Sequence, residues 1–252
     1  MYYFQTTHSY CMKLSLFLFL FLFLSIITLS SSSCLSTIPN TELRYLVREP
    51  KILAKAPPLI ILLHGWGSNE DDLFSLANNL PDQFLVVSAR GPINVGPKSY
   101  GWYHLDLSTG KIIYNKTEAE LARITIIQFL QNLKSKHPYN ASQVYLFGFS
   151  QGAIMSLSVA LTRPDLIKGI AVMSGQLLEE IKPILKKGRA LNNLRIFISH
   201  GSNDHVLSIN QARNGVKFLI KNNLYPEYHE YPEPHTISHA MFQDMLQWLN
   251  KK

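Results

Sequence analysis

The segment from Val144 to Leu161 constrains the fold of this chain more than any other. Four β-forming residues, Val144–Phe147, lead into Gly148-Phe149-Ser150-Gln151-Gly152, and a helix-forming run follows from Ala153. A Gly-x-Ser-x-Gly pattern between a strand and a helix is typical of a nucleophilic serine held above the end of a β-sheet. We expect glycine on both sides because a Cβ at either position would collide with the neighbouring strand or helix. The pattern therefore predicts Ser150 as a nucleophile.

This pentapeptide by itself does not establish the chemistry. Two glycines and a serine at this spacing occur by chance in about a tenth of chains of this length. A serine hydroxyl is also a weak nucleophile unless a base takes its proton. The interpretation therefore depends on a base, an acid and a second oxyanion donor elsewhere in the chain.

His235 is the predicted base among the nine histidines. It lies between the last predicted strand and the final predicted helix. In serine hydrolases with alternating strands and helices, the chain order is serine, acid, histidine. His239 is the alternative base, because on a helix it would share a face with His235. For either histidine, the competing interpretation is an ordinary surface residue.

Asp204 is the predicted acid. It follows the predicted strand Leu194–Ser199, where a carboxylate can orient the imidazole and stabilise its protonated form. The alternative role for Asp204 is to cap the next helix. Glu230 and Glu233 are weaker candidates for the acid because they are close to His235 in sequence.

Two backbone amides are predicted to hold the negative oxygen of a reaction intermediate. The amide of Gln151 lies at the start of a helix and points to where such an oxygen would form. The second donor is the amide of Trp66, in the loop His64-Gly65-Trp66-Gly67 that follows the apolar run Leu59–Leu63. In this arrangement His64 is a structural residue that fixes the loop.

The rest of the chain alternates predicted strands with predicted helices. Such alternation predicts an α/β fold with a mostly parallel, twisted sheet and helices on both faces. We expect strands at 42–48, 59–63, 84–88, 144–147, 167–173, 194–199 and 225–231. We expect helices at 73–80, 118–136, 153–161, 209–222 and 237–249, a loop at 91–103, and a loop with a short helix at 177–187.

Residues 1–33 are predicted to be a leader and not part of the fold. Leu14–Leu29 is an apolar run that follows Lys13 and precedes a row of serines, as in secretory signals. It is short for a membrane span, which needs about 20 apolar residues, and an uncleaved anchor is the alternative. Met12 is the better initiator. We therefore expect an exported protein: secreted, periplasmic or lipid-anchored.

Cys34 follows the serines directly and resembles the modified cysteine of a bacterial lipoprotein, although Ser31 stands where such sites usually carry leucine. Lipidated Cys34, or the leader itself, would associate the protein with a membrane. Ordinary cleavage nearby is the alternative. Residues 34–41 are the expected linker, and 42–252 the expected α/β domain.

Composition excludes several classes of function. The net charge of +7 is scattered, and the absence of a basic stripe with interleaved aromatics argues against nucleic-acid binding. Cys11 and Cys34 are the only cysteines, so we expect no disulfide within the domain and no cysteine-containing metal site. No metal or cofactor is expected.

Four segments together resemble the phospholipase/carboxylesterase family of α/β hydrolases, which includes carboxylesterases, lysophospholipases and acyl-protein thioesterases. They are 62–73, 148–153, 200–206 and 231–238. The resemblance spans roughly residues 42–250. It implies Ser150 as nucleophile, Asp204 as acid and His235 as base, with backbone donors at Trp66 and Gln151.

One departure from the family pattern concerns the loop of the catalytic histidine. Pro234 stands before His235, where the family usually has glycine, and proline fixes φ. The loop Pro97–Tyr103, with Tyr100, Trp102 and Tyr103, is expected to border the cavity for the substrate together with Trp66. Trp66 is larger than the leucine common there, which favours short to medium acyl chains.

The sequence therefore predicts a carboxylesterase that acts on a small-molecule or lipid ester. A lysophospholipase or acyl thioesterase is the alternative among enzymes. A binding protein on the same fold is the non-enzymatic alternative.

Overall fold

The computed structural model describes residues 42–106, 108 and 112–251. The predicted leader, Cys34 and the whole predicted linker, residues 34–41, lie outside the described residues. The strands are β1 (Tyr45–Arg48), β2 (Leu59–Leu63), β3 (Leu85–Ala89), β4 (Ile93–Gly96), β5 (Ser99–Gly101), β6 (Leu105–Asp106), β7 (Ile113–Tyr114), β8 (Val144–Phe149), β9 (Gly169–Met173), β10 (Arg195–Gly201) and β11 (Glu227–Tyr231). The α-helices are α1 (Glu70–Phe74), α2 (Lys116–Lys136), α3 (Gln151–Thr162), α4 (Arg189–Asn192), α5 (Ile209–Lys221) and α6 (His239–Asn250).

Seven of the described strands form one sheet in the order β1-β3-β2-β8-β9-β10-β11. Only β1, at one edge, runs antiparallel to its neighbour, and the other pairs are parallel. This confirms the predicted fold class. The carboxyl ends of the parallel strands meet at one edge of the sheet, where α/β proteins place their sites.

Both faces of the sheet are covered by helices. Alternate residues of β2 point to opposite faces, as the pleat requires: Leu59 and Ile61 belong to one apolar core and Ile60 to the other. The first core also takes residues from α2, α3 and α5, and the second from α1 and α6. A strand buried on both faces explains why β2 is a continuous apolar run.

Two local predictions were wrong. The predicted helix 73–80 is a short helix, α1, followed by a 3₁₀ turn at Ala77–Asn79. Asn69 caps α1 by accepting a hydrogen bond from the Asp71 amide at 2.9 Å, so the helix begins earlier than apolar periodicity suggests. The predicted loop 91–103 contains the antiparallel hairpin β4–β5, whose turn places Lys98 at φ 53°.

Candidate active site

Ser150 lies at the turn between β8 and α3 in a strained conformation. Its φ of 52° and ψ of −116° are sterically costly for a residue with a Cβ. The Ser150 amide donates to the carbonyl of Met173 at 2.9 Å and so holds this backbone against β9. The strain is characteristic of a turn that exposes its side chain above the sheet.

The glycines beside Ser150 are required by close backbone approach. A Cβ on Gly152 would overlap the carbonyl oxygen of Leu63 in β2, and a Cβ on Gly148 would overlap the carbonyl of Gly152. The fold therefore contains the close backbone approaches that the sequence predicts, and they leave no room for a Cβ at either position. They show that α3 packs directly on the backbone of the central strand.

Ser150, His235 and Asp204 form one hydrogen-bonded chain. The Ser150 Oγ lies 2.8 Å from His235 Nε2, and His235 Nδ1 lies 2.7 Å from Asp204 Oδ2. Because the carboxylate accepts from Nδ1–H, Nε2 is left to accept the proton of the serine hydroxyl. His239, the alternative base, is an exposed residue at the start of α6. Glu230 lies elsewhere and pairs with Arg213.

The Asp204 side chain is fully buried and held from several directions. Its Oδ1 accepts the amides of Val206 at 2.9 Å and Leu207 at 2.8 Å. His200 Nε2 lies 2.7 Å from the Leu207 carbonyl and 3.2 Å from Asp204 Oδ2. His200 is buried, which lowers its pKa and keeps the ring neutral. Its Nε2–H therefore donates to the Leu207 carbonyl, and the ring lies beside the Asp204 carboxylate.

The loop after β2 is fixed by the predicted structural histidine. His64 is buried, and its Nδ1–H donates to the Gly65 carbonyl at 2.7 Å. The Gly91 amide donates to His64 Nε2 at 2.9 Å, and the Trp102 indole donates to the His64 carbonyl at 3.0 Å. Burial lowers the pKa of His64, which suits a ring that must accept a hydrogen bond. These contacts hold Trp66 beside Ser150.

The side chain of Gln151 has a role that the sequence did not reveal. It is buried, and its Oε1 accepts the Trp102 amide at 2.6 Å while its Nε2 donates to the Tyr103 carbonyl at 2.8 Å. The Gln151 amide, as the first of α3, has no acceptor within the helix. Gln151 thus presents its backbone amide at the site, while its side chain holds the loop with Trp102 and Tyr103 in place.

A cavity of about 210 Å³ adjoins the Ser150 hydroxyl. Trp66 and Tyr103 line it, as predicted, but Trp102 does not. Trp102 is fully buried behind the loop, because its indole N–H is committed to the His64 carbonyl. Tyr100, in the same predicted border, packs against Arg90 instead.

The cavity wall is predominantly apolar. Its further side chains include Leu105, Ile112, Tyr114, Phe149, Ile154, Val206 and Leu207. Phe149 also packs against the His235 ring with centroids 4.9 Å apart. The Tyr114 hydroxyl donates to Glu180 at 2.5 Å, which fixes this wall to the 3₁₀ helix Glu179–Ile184. Burial, together with Glu180, raises the pKa of Tyr114.

Two features are absent from the described residues. No group of three or more His, Cys, Asp or Glu side chains in the described ranges is arranged to hold a metal ion. None of the described helices combines the length and apolar character that a membrane crossing requires.

The fold and the hydrogen-bonded Ser-His-Asp chain define an α/β hydrolase of the serine type. The family model of phospholipases and carboxylesterases matches residues 47–252. The chain therefore belongs to the phospholipase/carboxylesterase family, and with it to the hydrolases of carboxylic esters.

Individual relatives agree with this membership. Acyl-protein thioesterase 1 of Mycosarcoma maydis is 26% identical over 234 residues, which is 83% of this chain and 97% of that protein. The solved structure of esterase PE8 superposes with a TM-score of 0.70 at 25% identity and covers 83% of this chain and 98% of its own. The Bacillus cereus carboxylesterase has a TM-score of 0.72 at 20% identity, with 84% and 95% covered, and so shows the fold.

Sequence reasoning missed the buried His200, the Gln151 side chain and Gln176, which also lines the cavity. Two signals were available. His200 and Gln176 both follow predicted parallel strands closely, where side chains converge on a site. The partners of the Gln151 side chain could not be predicted in this way, because they depend on how the loop with Trp102 and Tyr103 passes Gln151 in the fold.

Proposed function

We propose that the protein is a serine carboxylesterase that works through an acyl-enzyme on Ser150. The observation that carries the proposal is the hydrogen-bonded chain from Ser150 Oγ through His235 to buried Asp204. His235 takes the hydroxyl proton as Oγ bonds to the ester carbonyl carbon. The carbon–oxygen bond to the alcohol then breaks, and His235 passes the proton to the departing oxygen.

Water completes the cycle by the same route. His235 removes a proton from water as its oxygen bonds to the acyl carbon, and returns that proton to Ser150 as the acid leaves. The amides of Trp66 and Gln151 hold the oxyanion in both halves. The cavity volume and the large Trp66 side chain on its wall favour short to medium acyl chains.

Acyl thioesters are the second candidate substrates. The support is the 26% identity to a protein named acyl-protein thioesterase 1 over most of both chains. The same acyl-enzyme chemistry serves both substrates, because the serine attacks the carbonyl carbon in each. A lysophospholipase would need the same cavity to accept long chains.

The test is hydrolysis of p-nitrophenyl esters from acetyl to palmitoyl, with a matched series of acyl thioesters. Ser150→Ala is expected to lower kcat/KM by about 10⁴-fold or more with the fold intact. Ser135→Ala, at an exposed position on α2, is the control. Residual activity of Ser150→Ala within tenfold of wild type would refute the assignment.

A binding protein on the same fold is the non-enzymatic alternative. A fluorophosphonate probe reacts with an activated serine, so labelling at Ser150 that is lost in Ser150→Ala would exclude it. No labelling and no hydrolysis of any ester or thioester would favour it.

The proposal extends to export. Residues 1–33 are proposed as the leader, and Cys34 as a candidate lipid attachment site. Intact-mass and N-terminal sequencing of the protein from its native cells would test this. A mature N-terminus near residue 34 would support export, a diacylglycerol mass on Cys34 would support anchoring, and a retained apolar run would contradict cleavage.

A further inference from the structure

The cavity beside Ser150 adjoins a second and more polar groove of about 300 Å³. Ile112, Tyr114, Gln176 and Leu207 line both spaces. The groove adds the polar side chains of Glu179, Lys182, Gln211 and Asn214. A molecule that extends from Ser150 past the shared residues would thus pass from apolar to polar surroundings.

Gln176 occupies the transition between the two spaces. It is half-buried in the segment that follows β9, and its side-chain amide makes no hydrogen bond to any residue that the structure describes. The nearby cation, Lys182, is paired with Glu179 at 2.5 Å. The end of the groove nearest the cavity therefore offers a neutral hydrogen-bonding group, the Gln176 amide. The Lys182 ammonium is not left unpaired there, because it is bound to Glu179. Mostly apolar cavities use a few placed polar groups of this kind to orient ligands.

The acyl part of the substrate is the part that this cavity suits. After the first half-reaction the alcohol departs while the acyl group stays bonded to Ser150, and the cavity next to Oγ is the space that can hold the acyl chain. A plain alkyl chain that reached Gln176 would desolvate its amide without replacing the hydrogen bonds to water, which is unfavourable. A chain with its own polar end would replace them.

We propose that Gln176 is a specificity-determining residue that selects acyl chains of medium length with an uncharged hydrogen-bonding group, an amide or a hydroxyl, at the far end. This inference rests on the proposed function. The bonds made and broken are those of ester hydrolysis, and the distal group reacts with nothing. It serves to bind and orient the chain.

The test uses three p-nitrophenyl esters of matched chain length: octanoate, the monoamide of pimelate, and 7-aminoheptanoate. In the wild-type protein we expect a higher kcat/KM for the amide-ended chain than for octanoate. Gln176→Leu removes the amide at nearly constant size and should lower the amide-to-octanoate ratio about five- to tenfold, the value of one neutral hydrogen bond. Gln243→Leu, exposed on α6, should keep the wild-type ratio.

A variant that gains a new specificity distinguishes a direct role of Gln176 from general damage to the site. Gln176→Glu places a carboxylate at the same position and should raise the ratio for the ammonium-ended chain over octanoate, which a damaged cavity would not do. Ser150-dependent hydrolysis of p-nitrophenyl acetate with an amide-to-octanoate ratio that is the same in wild type and Gln176→Leu would overturn this inference alone. No Ser150-dependent hydrolysis of acetate, octanoate or the amide would overturn the proposed function and this inference with it.

Discussion

At the scale of single residues, the site depends on glycines that no other residue can replace. Gly152 lets α3 lie against the backbone of β2, since a Cβ there would overlap the Leu63 carbonyl oxygen. The Leu63 carbonyl belongs to the backbone of β2 and Gly152 to the backbone of α3, and both lie in the buried core. Neither backbone can therefore shift without a cost in free energy. The strained φ of Ser150 is held by this packing and by the Met173 carbonyl.

Gly152→Ala is therefore expected to reduce the free energy of unfolding by about 3 kcal/mol. Urea denaturation measures this directly. Gly215→Ala is the matched control, because position 215 is inside α5 and a Cβ there meets neighbours no closer than 3.7 Å. The control should be neutral or more stable by up to about 1 kcal/mol. Equal stability of the two variants would contradict the packing argument.

His200 is a positioning residue one contact away from the reacting groups. Its Nδ1 is buried and has no hydrogen-bond partner among the described residues, an arrangement that is costly unless the rest of the ring compensates. The compensation is the Nε2–H, which donates to the Leu207 carbonyl at 2.7 Å and lies 3.2 Å from Asp204 Oδ2. The ring thereby fixes the Leu207 backbone, whose amide donates to the carboxylate on which His235 depends.

His200→Phe should lower kcat by about tenfold while KM stays within about twofold, because the hydrogen bond that fixes the Leu207 backbone beside the acid is lost. His200→Gln can place an N–H near the same position and should recover part of kcat. Steady-state kinetics on one ester give both numbers. A Phe variant with wild-type kcat, or a Gln variant no better than Phe, would show that His200 only fills space.

At the scale of elements, α3 and the segment 101–104 are joined by the Gln151 side chain. That side chain satisfies one backbone donor, of Trp102, and one backbone acceptor, of Tyr103. Tyr103 and Trp66 are neighbours on the cavity wall, and Gly101 lets the Trp66 ring lie on this segment, since a Cβ there would meet the ring at 2.5 Å. The start of one helix thus sets the shape of the cavity.

Gln151→Met keeps the backbone amide of Gln151 and the size of its side chain, but strands two buried backbone groups. We expect a loss of about 2–4 kcal/mol in the free energy of unfolding and a raised KM, because Tyr103 loses its anchor. Denaturation and steady-state kinetics test these effects. Gln247→Met, exposed on α6, is the control, and an equal stability loss in both variants would refute the anchoring role.

At the scale of the whole molecule, two buried neutral histidines make stability depend on pH. Burial lowers the pKa of His64 and of His200, and for His200 the Leu207 carbonyl and Asp204 partly oppose this effect. The unfolded chain binds protons at these residues as the pH falls through 6.5, their ordinary value. The folded protein binds them only at lower pH. Their contribution to stability is therefore complete above that pH and is lost as the pH falls below it.

Between pH 7.5 and 5.5 the free energy of unfolding should accordingly decrease, by up to about 1.4 kcal/mol per pH unit for each histidine below the ordinary pKa. His200→Gln removes one of the two groups and should reduce the difference between the two pH values. Urea denaturation at both pH values measures it. A variant with an undiminished difference would show that His200 is not a source of the pH dependence.

The fold class and the main members of the site could be predicted from the residues alone. Two of the signals are local: the apolar run of β2 and the turn around Ser150. The third is the order in which Ser150, Asp204 and His235 follow one another along the chain. All three can be recognised in the sequence without knowing any distance in the fold. The same local rules failed for α1 and for the β4–β5 hairpin, where a cap and a tight turn outweighed periodicity.

Which of the candidate residues meet became visible in the folded chain alone. In the fold His235 contacts Ser150, whereas His239 is exposed, and Trp102 lies in the core and not on the cavity wall. His200 and Gln151 meet their hydrogen-bond partners there, and Gln176 lines the cavity. These outcomes depend on where loops from distant parts of the chain cross the end of the sheet. Side-chain contacts between such loops are set by packing and by the need to satisfy buried polar groups, and neither is visible in the spacing of residues along the sequence.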